Sequence, residues 1–459
     1  MAQVKHVHCV GIGGTGISAI ARVLLERGYR VSGSDLQLSP VAEALAASGA
    51  EVTIGHRARN VGDAEMVLVS SAVPKDNVEL VAARERGIPV LKRDEFLAQL
   101  MAGTMGIAIA GTAGKTTTTG MLAWILVQGG LDPSFIVGGV IEGLGTNAQA
   151  GHGPHFVIEA DEYDRMFLGL APTVAAVTHL EHDHPDCYPT FAEMREAFAH
   201  FLGLVPGDGL IVGCTDHLAV RELLSRGWKA AVQTCGLSST NDWYASEVLP
   251  NPLGGYDMNV WHCGQRWHSV RLRVPGLHNV QNALVALAIA DWLGVDRETV
   301  CQALRTFSGI ERRFEVLGRG GGVVVVDDYA HHPTKIRAAL SAARARYPER
   351  PIWAVFQPHT YSRTRALWEE FVECLGQADH VIVLDVYAAR ETDSLGIDPA
   401  ALAAQITCTD ARYVGDLDAA VDYLRSHVEP NAVVLSLSAG DGNQVVVRLL
   451  EQLPEPQRE

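Results

Sequence analysis

The stretch that most constrains the fold runs from Met105 to Leu126. Met105 to Ala110 is an apolar run of strand length, Gly111-Thr-Ala-Gly-Lys-Thr116 is a tight turn, and Thr116 onward opens a helix through Met121-Leu-Ala-Trp-Ile-Leu126. Glycines at 111 and 114 let successive N–H groups point inward with no Cβ in the way, and the helix N-terminus adds partial positive charge. Such a loop is a seat for crowded anionic oxygens. Lys115 then meets the β/γ-phosphates of a nucleotide and the Thr116 hydroxyl meets Mg²⁺, with Gly111, Thr112, Ala113, Gly114 and Thr117 completing the cradle. Gly-x-x-Gly-Lys-Thr is shorter than the usual phosphate-loop pattern. The strand before it and the helix after it supply the specificity that the hexapeptide lacks.

A chain of 459 residues has room for about three domains. The balance of 37 basic against 53 acidic residues, a net charge of −16, excludes a protein that holds nucleic acid on a broad basic face. Eight cysteines are scattered without a Cys-x-x-Cys pair, the pattern of reduced core thiols. No apolar run reaches the roughly 20 residues of a membrane span. The first residues carry no secretory-leader pattern. A cytoplasmic protein with no membrane or nucleic-acid partner is expected.

The first hundred residues repeat the strand–loop–helix theme. His6-Val-His-Cys-Val10 reads as a strand, Gly11-Ile-Gly13-Gly14-Thr15-Gly16 as its loop, and a helix follows through Ile20 and Leu24. A second strand ends at Gly33-Ser34-Asp35, which puts an acidic residue where a dinucleotide fold has one. The spacing gives the fold but not the ligand, since any diphosphate suits that helix N-terminus. Asp35 is either a ligand contact or a loop cap. Ser70 and Ser71, at the carboxyl end of another strand, stand where ligands of such sheets bind.

In the middle of the chain two acidic clusters follow strands: Glu159-Ala-Asp161-Glu162 after His155-Phe-Val-Ile, and His179-Leu-Glu-His-Asp183-His184 after Thr173-Val-Ala-Ala-Val-Thr. These strands are expected to flank the phosphate-loop strand, which makes Glu159 and His184 candidate metal ligands. Further on, Asn279 and Asn282 share one face of the first turn of a helix, where their amides suit a purine edge; Asn279 also suits a helix cap. The last third alternates again. Its polar strand ends are Asp327-Asp328-Tyr329-Ala-His331-His332-Pro333 and Gln357-Pro-His359-Thr-Tyr-Ser-Arg363-Thr-Arg365, the second placed for anion binding. Ser308 to Phe314 reads as a junction.

Taken in order, these motifs resemble the Mur ligases of peptidoglycan synthesis. The resemblance covers nearly the whole chain and rests on the Gly11–Gly16 loop with Gly33-Ser-Asp35, on Gly-Thr-x-Gly-Lys-Thr-Thr117, on Glu159-Ala-Asp-Glu-x-Asp164, on Asp183-His184, on Gly-x-His278-Asn279, on Arg312-Arg313-Phe, on Asp327-Asp-Tyr-Ala-His-His-Pro333 and on Phe356-Gln-Pro-His-x-Tyr-Ser-Arg-Thr-Arg365. It implies three α/β domains on mainly parallel sheets: a Rossmann-like UDP-sugar domain (1–102), a phosphate-loop ATP domain (103–313) and a Rossmann-like third domain (314–459). It also implies an ATP- and Mg²⁺-dependent amide ligase, a monomer or homodimer, whose substrates are UDP-N-acetylmuramate, L-alanine and ATP.

By motif position the resemblance makes Lys115, His184 and Arg313 catalytic and gives Thr116, Glu159 and His184 to the metal. Asn279 and Asn282 go to adenine, Asp328 to the ribose, and Glu162, Tyr329, His331, His359, Arg363 and Arg365 to the muramate and amino-acid site. Two residues depart from the family pattern. Ala113 replaces a usual histidine or asparagine, and His179 replaces a usual asparagine. No lysine lies between Pro185 and Pro206, so the lysine carbamate of several sister ligases is not expected. A tripeptide-recycling ligase of the same family is the nearest rival. A nicotinamide oxidoreductase leaves the second loop and the acidic clusters unexplained, and a non-catalytic nucleotide-binding regulator is the third alternative.

Overall fold

The computed structural model describes residues 4–70, 72–407 and 409–454. Ser71, one of the expected sugar-site residues, and Cys408 lie outside the described residues. Three sheets carry the chain. The first has five parallel strands in the order Glu51–Ile54, Arg30–Asp35, His6–Val10, Met66–Val69, Val90–Lys92. The order reverses direction beside His6–Val10. The crevice at its carboxyl end, where the first glycine loop emerges, is therefore the ligand position of a doubly wound sheet.

The second sheet has ten strands. At its centre Met105–Ala110 lies between His155–Glu159 and Val174–Val177, both parallel to it. The sequence-based expectation holds here: the two acidic clusters leave strands on either side of the phosphate-loop strand. Sequence reading passed over the hairpin Ser134–Ile141/Thr146–Gln149 at one edge and the strands Trp243–Pro250, Tyr256–His262 and Gln265–Arg271 at the other. The third sheet runs Glu315–Gly320, Val323–Asp328, Val433–Leu437, Ile352–Phe356, His380–Leu384, Asp410–Gly415, parallel except for the edge strand Glu315–Gly320. Its central strands are buried runs such as VVVV and VVLSL, as a sheet covered on both faces requires.

The chain divides into two compact units. One comprises the residues up to Glu247 with 258–270 and 281–307, the other 248–257, 271–280 and the residues from Ser308 onward. In the first unit the first and second sheets share a continuous apolar core in which Val7, Ile20 and Leu24 join Phe156, Phe167 and Phe198. The Arg27 guanidinium lies over the Phe156 ring at 5.7 Å and donates to the Leu100 carbonyl at 2.9 Å. Two sheets packed this closely form one unit even though each has its own topology.

A charged group also sits in the first domain's interior. Glu79, fully buried, accepts from Ser34 Oγ (2.5 Å), Asn60 Nδ2 (2.6 Å) and Arg57 N (3.0 Å), and its Oε2 lies 3.3 Å from His8 Nε2. Burial works against the charge, yet the bonds from His8, Ser34, Arg57 and Asn60 outweigh it and hold the carboxyl at about 2. His8 Nδ1 and His6 Nε2 each lie 2.8 Å from the Ser32 hydroxyl, and His6 Nδ1 lies 3.0 Å from the exposed Asp63. All seven described cysteines are free, and most are buried. Among the described residues no helix is long and apolar enough to cross a membrane.

Candidate active site

The second glycine loop follows Ala110 and ends at helix Lys115–Gln128. Gly114 takes the left-handed conformation (φ 83°) that frees the helix start, and a Cβ there would fall 2.5 Å from Asn282 Oδ1. At Gly111 a Cβ would collide with the Thr178 hydroxyl. Both positions require glycine for space as well as for backbone.

Lys115 is turned inward. Its Nζ donates to both carboxylate oxygens of Glu162 (2.7 and 2.8 Å) and to the Gly111 carbonyl (2.7 Å). Burial opposes the ammonium, but the charges of Glu162, Asp161 and Glu159 more than offset it, and the lysine pKa is raised. Glu162, itself buried, is pushed up by desolvation and pulled down further by Lys115 and His184, so its pKa is lowered. The two shifts are those of a buried ion pair. Tyr188 fixes the same residue by donating its hydroxyl to the Glu162 carbonyl at 2.6 Å. His184, at φ 54°, sets Nε2 3.6 Å from Glu162 Oε1 and 3.8 Å from Asp183 Oδ2, with its ring edge-on to Tyr163.

The departure at His179 has a structural role. Its Nδ1 lies 2.9 Å from Thr112 Oγ1, its carbonyl accepts from Thr112 N at 3.0 Å, and its ring packs edge-on against His217. The histidine pins the phosphate loop from the neighbouring strand end. Ala113, the other departure, receives the Thr178 hydroxyl on its carbonyl oxygen at 2.5 Å, a contact that asks nothing of its side chain.

Glu159 ends the strand paired with Met105–Ala110, opposite Ile109. Its Oε2 accepts from Gly138 N at 2.8 Å, and Oε1 has no hydrogen-bond partner among the described residues. A carboxylate with one oxygen fixed and one open suits Mg²⁺, which takes one or two protein oxygens and keeps waters and phosphate oxygens for the rest. The described residues hold no group of three His, Cys, Asp or Glu side chains able to cage a metal alone. On helix Leu277–Trp292, Asn279 and Asn282 are both buried, and Asn279 Nδ2 donates to the Pro275 carbonyl at 2.7 Å. That bond gives Asn279 a local structural duty.

The first glycine loop is organised differently. Asp35 Oδ2 accepts from Gly13 N at 2.8 Å and Oδ1 from Leu36 N at 2.7 Å, so this carboxylate caps the loop. Gly11 is left-handed (φ 80°) and packs on Ser70, while Gly14 and Thr15 are exposed at the start of helix Thr15–Glu26. Sequence reading missed Arg93. It lies against Gly16, where a Cβ would strike its Nη1, and its Nη2 donates to Asp161 Oδ2 at 3.2 Å. A signal existed: Arg93 opens helix Arg93–Met101, where a cation opposes the helix dipole and so points to a task other than helix stability.

In the second unit, the carboxyl ends of the central strands of the third sheet gather a separate cluster. Asp328 accepts from Phe314 N and Ala330 N, both at 2.8 Å. Burial raises its pKa to about 6, against the pull of Arg313 and the Phe314 bond. Arg312 and Arg313 both stack on Tyr329, at 5.0 and 5.1 Å. His331 lies 5.4 Å from Tyr329 and 5.8 Å from His359 between ring centroids. Arg363 Nη1 donates to the His359 carbonyl at 2.7 Å, and burial together with that guanidinium lowers the His359 pKa. Arg365 does not join them. On helix Tyr361–Ala366 it stands two residues from Arg363, so the two side chains leave on opposite sides, and Arg365 is exposed.

A lysine phosphate loop beside strand-end carboxylates on a parallel sheet fits a nucleotide-dependent enzyme, and the chain belongs to the Mur ligase family. Family models match residues 6–104 (Mur ligase family, catalytic domain), 109–290 (Mur ligase middle domain) and 312–440 (Mur ligase, glutamate ligase domain). The chain is 43% identical over 456 residues, 98% of each chain, to a UDP-N-acetylmuramate–L-alanine ligase of Geobacter sp. (strain M21). It is 44% identical over 458 residues, 99% of this chain and 98% of the relative, to the protein of that name from Geobacter sulfurreducens. Among solved structures, a UDP-N-acetylmuramate-alanine ligase of Thermotoga maritima superposes with a TM-score of 0.84 at 29% identity, covering 97% of this chain and 98% of the other. A murein peptide ligase of Psychrobacter arcticus gives 0.74 at 26% identity, covering 99% and 100%.

Proposed function

We propose that this chain is an ATP-dependent ligase that joins L-alanine to the lactyl carboxylate of UDP-N-acetylmuramate through an acyl phosphate. The observation that carries the reading is near-complete alignment at 43–44% identity with relatives of that name, coupled to an intact lysine phosphate loop. A carboxylate is a poor electrophile because oxide does not leave. Attack of its oxygen on the γ-phosphorus breaks the bond to the β-γ bridging oxygen, releases ADP and installs a phosphate leaving group. The alanine amine then adds to the carbonyl carbon, phosphate departs, and the amine proton is lost.

The Lys115 charge and the N–H groups of Gly111 to Thr117 stabilise the negative charge that accumulates during phosphoryl transfer. For this, Lys115 exchanges Glu162 for phosphate oxygens. Thr116 and Glu159, with His184, are assigned to Mg²⁺, which when bound supplies charge neutralisation on the phosphates. Asn279 and Asn282 are assigned to adenine, Arg313 to the phosphates and Asp328 to the ribose. The Gly11–Gly16 loop with Ser70 is assigned to the UDP-sugar, and Glu162, Tyr329, His331, His359 and Arg363 to the muramate and alanine groups. The domain boundaries at 102/103 and 313/314 belong to the same reading.

Phosphate release from ATP in the presence of UDP-N-acetylmuramate tests it, with L-alanine, glycine, L-serine and the murein tripeptide compared as acceptors. L-alanine is expected to give the highest kcat/KM. Full-rate release without the UDP-sugar, or preference for the tripeptide, overturns it.

A further inference from the structure

The residues assigned to alanine are also held from outside, beyond the bond from Arg363 to the His359 carbonyl. Helix Tyr361–Ala366, which carries Arg363, begins at Thr360, and Thr360 does not cap it in the usual way, its own side chain accepting no backbone N–H. The cap comes from a distant loop. Glu391 accepts from Ser362 N at 3.0 Å, from Thr360 Oγ1 at 2.6 Å and from the Ser362 hydroxyl. Burial works against its charge, but these bonds win, and the Glu391 carboxyl is held below its ordinary range.

The same loop, which follows the strand His380–Leu384, also fixes His359. Tyr387 N donates to the Pro358 carbonyl at 2.9 Å, and the Tyr387 ring lies parallel to the His359 imidazole, 5.6 Å between centroids and 8° between planes. Behind the ring is Gly440, where a Cβ would fall 2.5 Å from the tyrosine. Arg363 in turn clasps the backbone of His359. His359 and Arg363 are thus gripped from outside by one segment, residues 385–391, through a stacked ring and a carboxylate.

We infer that Glu391 is a positioning residue for the amino-acid site, and that with Tyr387 it presets the orientation of Arg363 and His359 for a small zwitterion. The inference rests on the alanine-ligase reading. Its physical basis is that alanine offers little apolar area, so affinity depends on the aim of a fixed guanidinium more than on contact. A guanidinium on a frayed first helical turn samples many directions, and each costs alanine affinity without touching ATP.

Steady-state kinetics of the full-length enzyme decide the matter. Glu391→Ala is expected to raise the KM for L-alanine by about tenfold, the worth of a charge-assisted hydrogen-bond set. The KM for ATP is expected to stay within about twofold. Glu391→Gln keeps one acceptor oxygen and is expected to restore part of the loss, a rescue that a purely structural role, read by thermal unfolding, would not track. Should Glu391→Ala fail to fold, Ser362→Ala, which removes one donor and leaves the carboxylate bound to the backbone, is expected to give a smaller shift with the same selectivity. Equal changes in both KM values, or none, in a variant that folds overturn the inference. Absence of alanine-dependent turnover in the unaltered enzyme would instead overturn the ligase reading itself.

Discussion

The two glycine loops of the first unit share a backbone plan and differ in what occupies their anion seats. In the loop from Gly11 to Gly16 the chain's own carboxylate, Asp35, sits on a backbone N–H. In the loop from Gly111 to Gly114 a carboxylate, Glu162, sits on a side-chain ammonium. A backbone donor is fixed and neutral, so it can orient a diphosphate with little change of charge. A lysine carries a full charge, is mobile, and can trade a carboxylate for a phosphate oxygen whose charge grows in the transition state. On the proposed reading the first loop holds its ligand and the second responds to it, a difference that comes down to one side chain at the mouth of each helix.

The sharpest way to break this comparison is Lys115→Ala. If the second loop acts through its charge, kcat falls at least about 100-fold, the scale of losing one oxyanion-type donor, while the circular-dichroism spectrum keeps its folded shape; the unfolding midpoint falls, because the Glu162 carboxylate is left buried without its counter-charge. A variant keeping more than about a tenth of kcat would make the two loops equivalent holders.

Glu162→Gln comes next. Removing one member of a buried pair leaves the lysine uncompensated, so the nucleotide-free enzyme is expected to lose about 3 kcal/mol of stability, measured by denaturant unfolding. ATP should then produce a larger thermal shift than in wild type, because it restores a counter-charge. The pH dependence has a definite sign. Glu162 has a lowered pKa in the folded protein, so the stability from its pair is present above the unfolded carboxyl pKa of about 4.3 and is lost as pH falls below it. The glutamine variant should lose that acid-sensitive component.

Asp328 extends the comparison to a carboxylate with the opposite shift. Raised to about 6, it binds its proton more tightly folded than unfolded. Its stabilising effect is therefore full below about 3.9 and disappears as pH rises through about 6. On the proposed assignment of Asp328 to the ribose, its ionised form is the better acceptor for the hydroxyls, so the KM for ATP is expected to climb about threefold to tenfold between pH 7 and pH 5, and Asp328→Asn to flatten that profile.

The smallest effect is expected from Asp35→Asn. It keeps an acceptor for Gly13 N and should raise the KM for UDP-N-acetylmuramate by only a few-fold, about 1 kcal/mol or less, with the KM for ATP unmoved. A large effect would mean that Asp35 meets the sugar directly.

How much of this was legible beforehand follows from how each part is encoded. The strand–loop–helix units announced themselves because glycine spacing and apolar runs are local, and the flanking of Met105–Ala110 by two acid-tipped strands followed from motif order. The edge strands from Trp243 to Arg271 were missed, since half-exposed strands such as Gln265–Arg271 lack an apolar run. The spacing of Arg363 and Arg365 suggested a joint anion clamp. The helix that forms there turns residues two apart away from each other. Arg93, Tyr387 and Glu391 escaped notice because their partners are 68, 28 and 29 to 31 residues away in the chain, and contacts across such spans exist only once the sheets have closed.

The buried Glu79 network bears on how the protein would look to saturation mutagenesis. Replacing Ser34, Asn60 or His8 singly takes one of four partners from a buried carboxylate, whereas replacing Glu79 alone leaves several buried donors without an acceptor. A tolerance map should therefore show an intransigent patch inside the first domain as severe as that around Lys115. Double substitutions that remove donor and acceptor together are the ones that would tell the two patches apart, softening the first and leaving the second as deep as before.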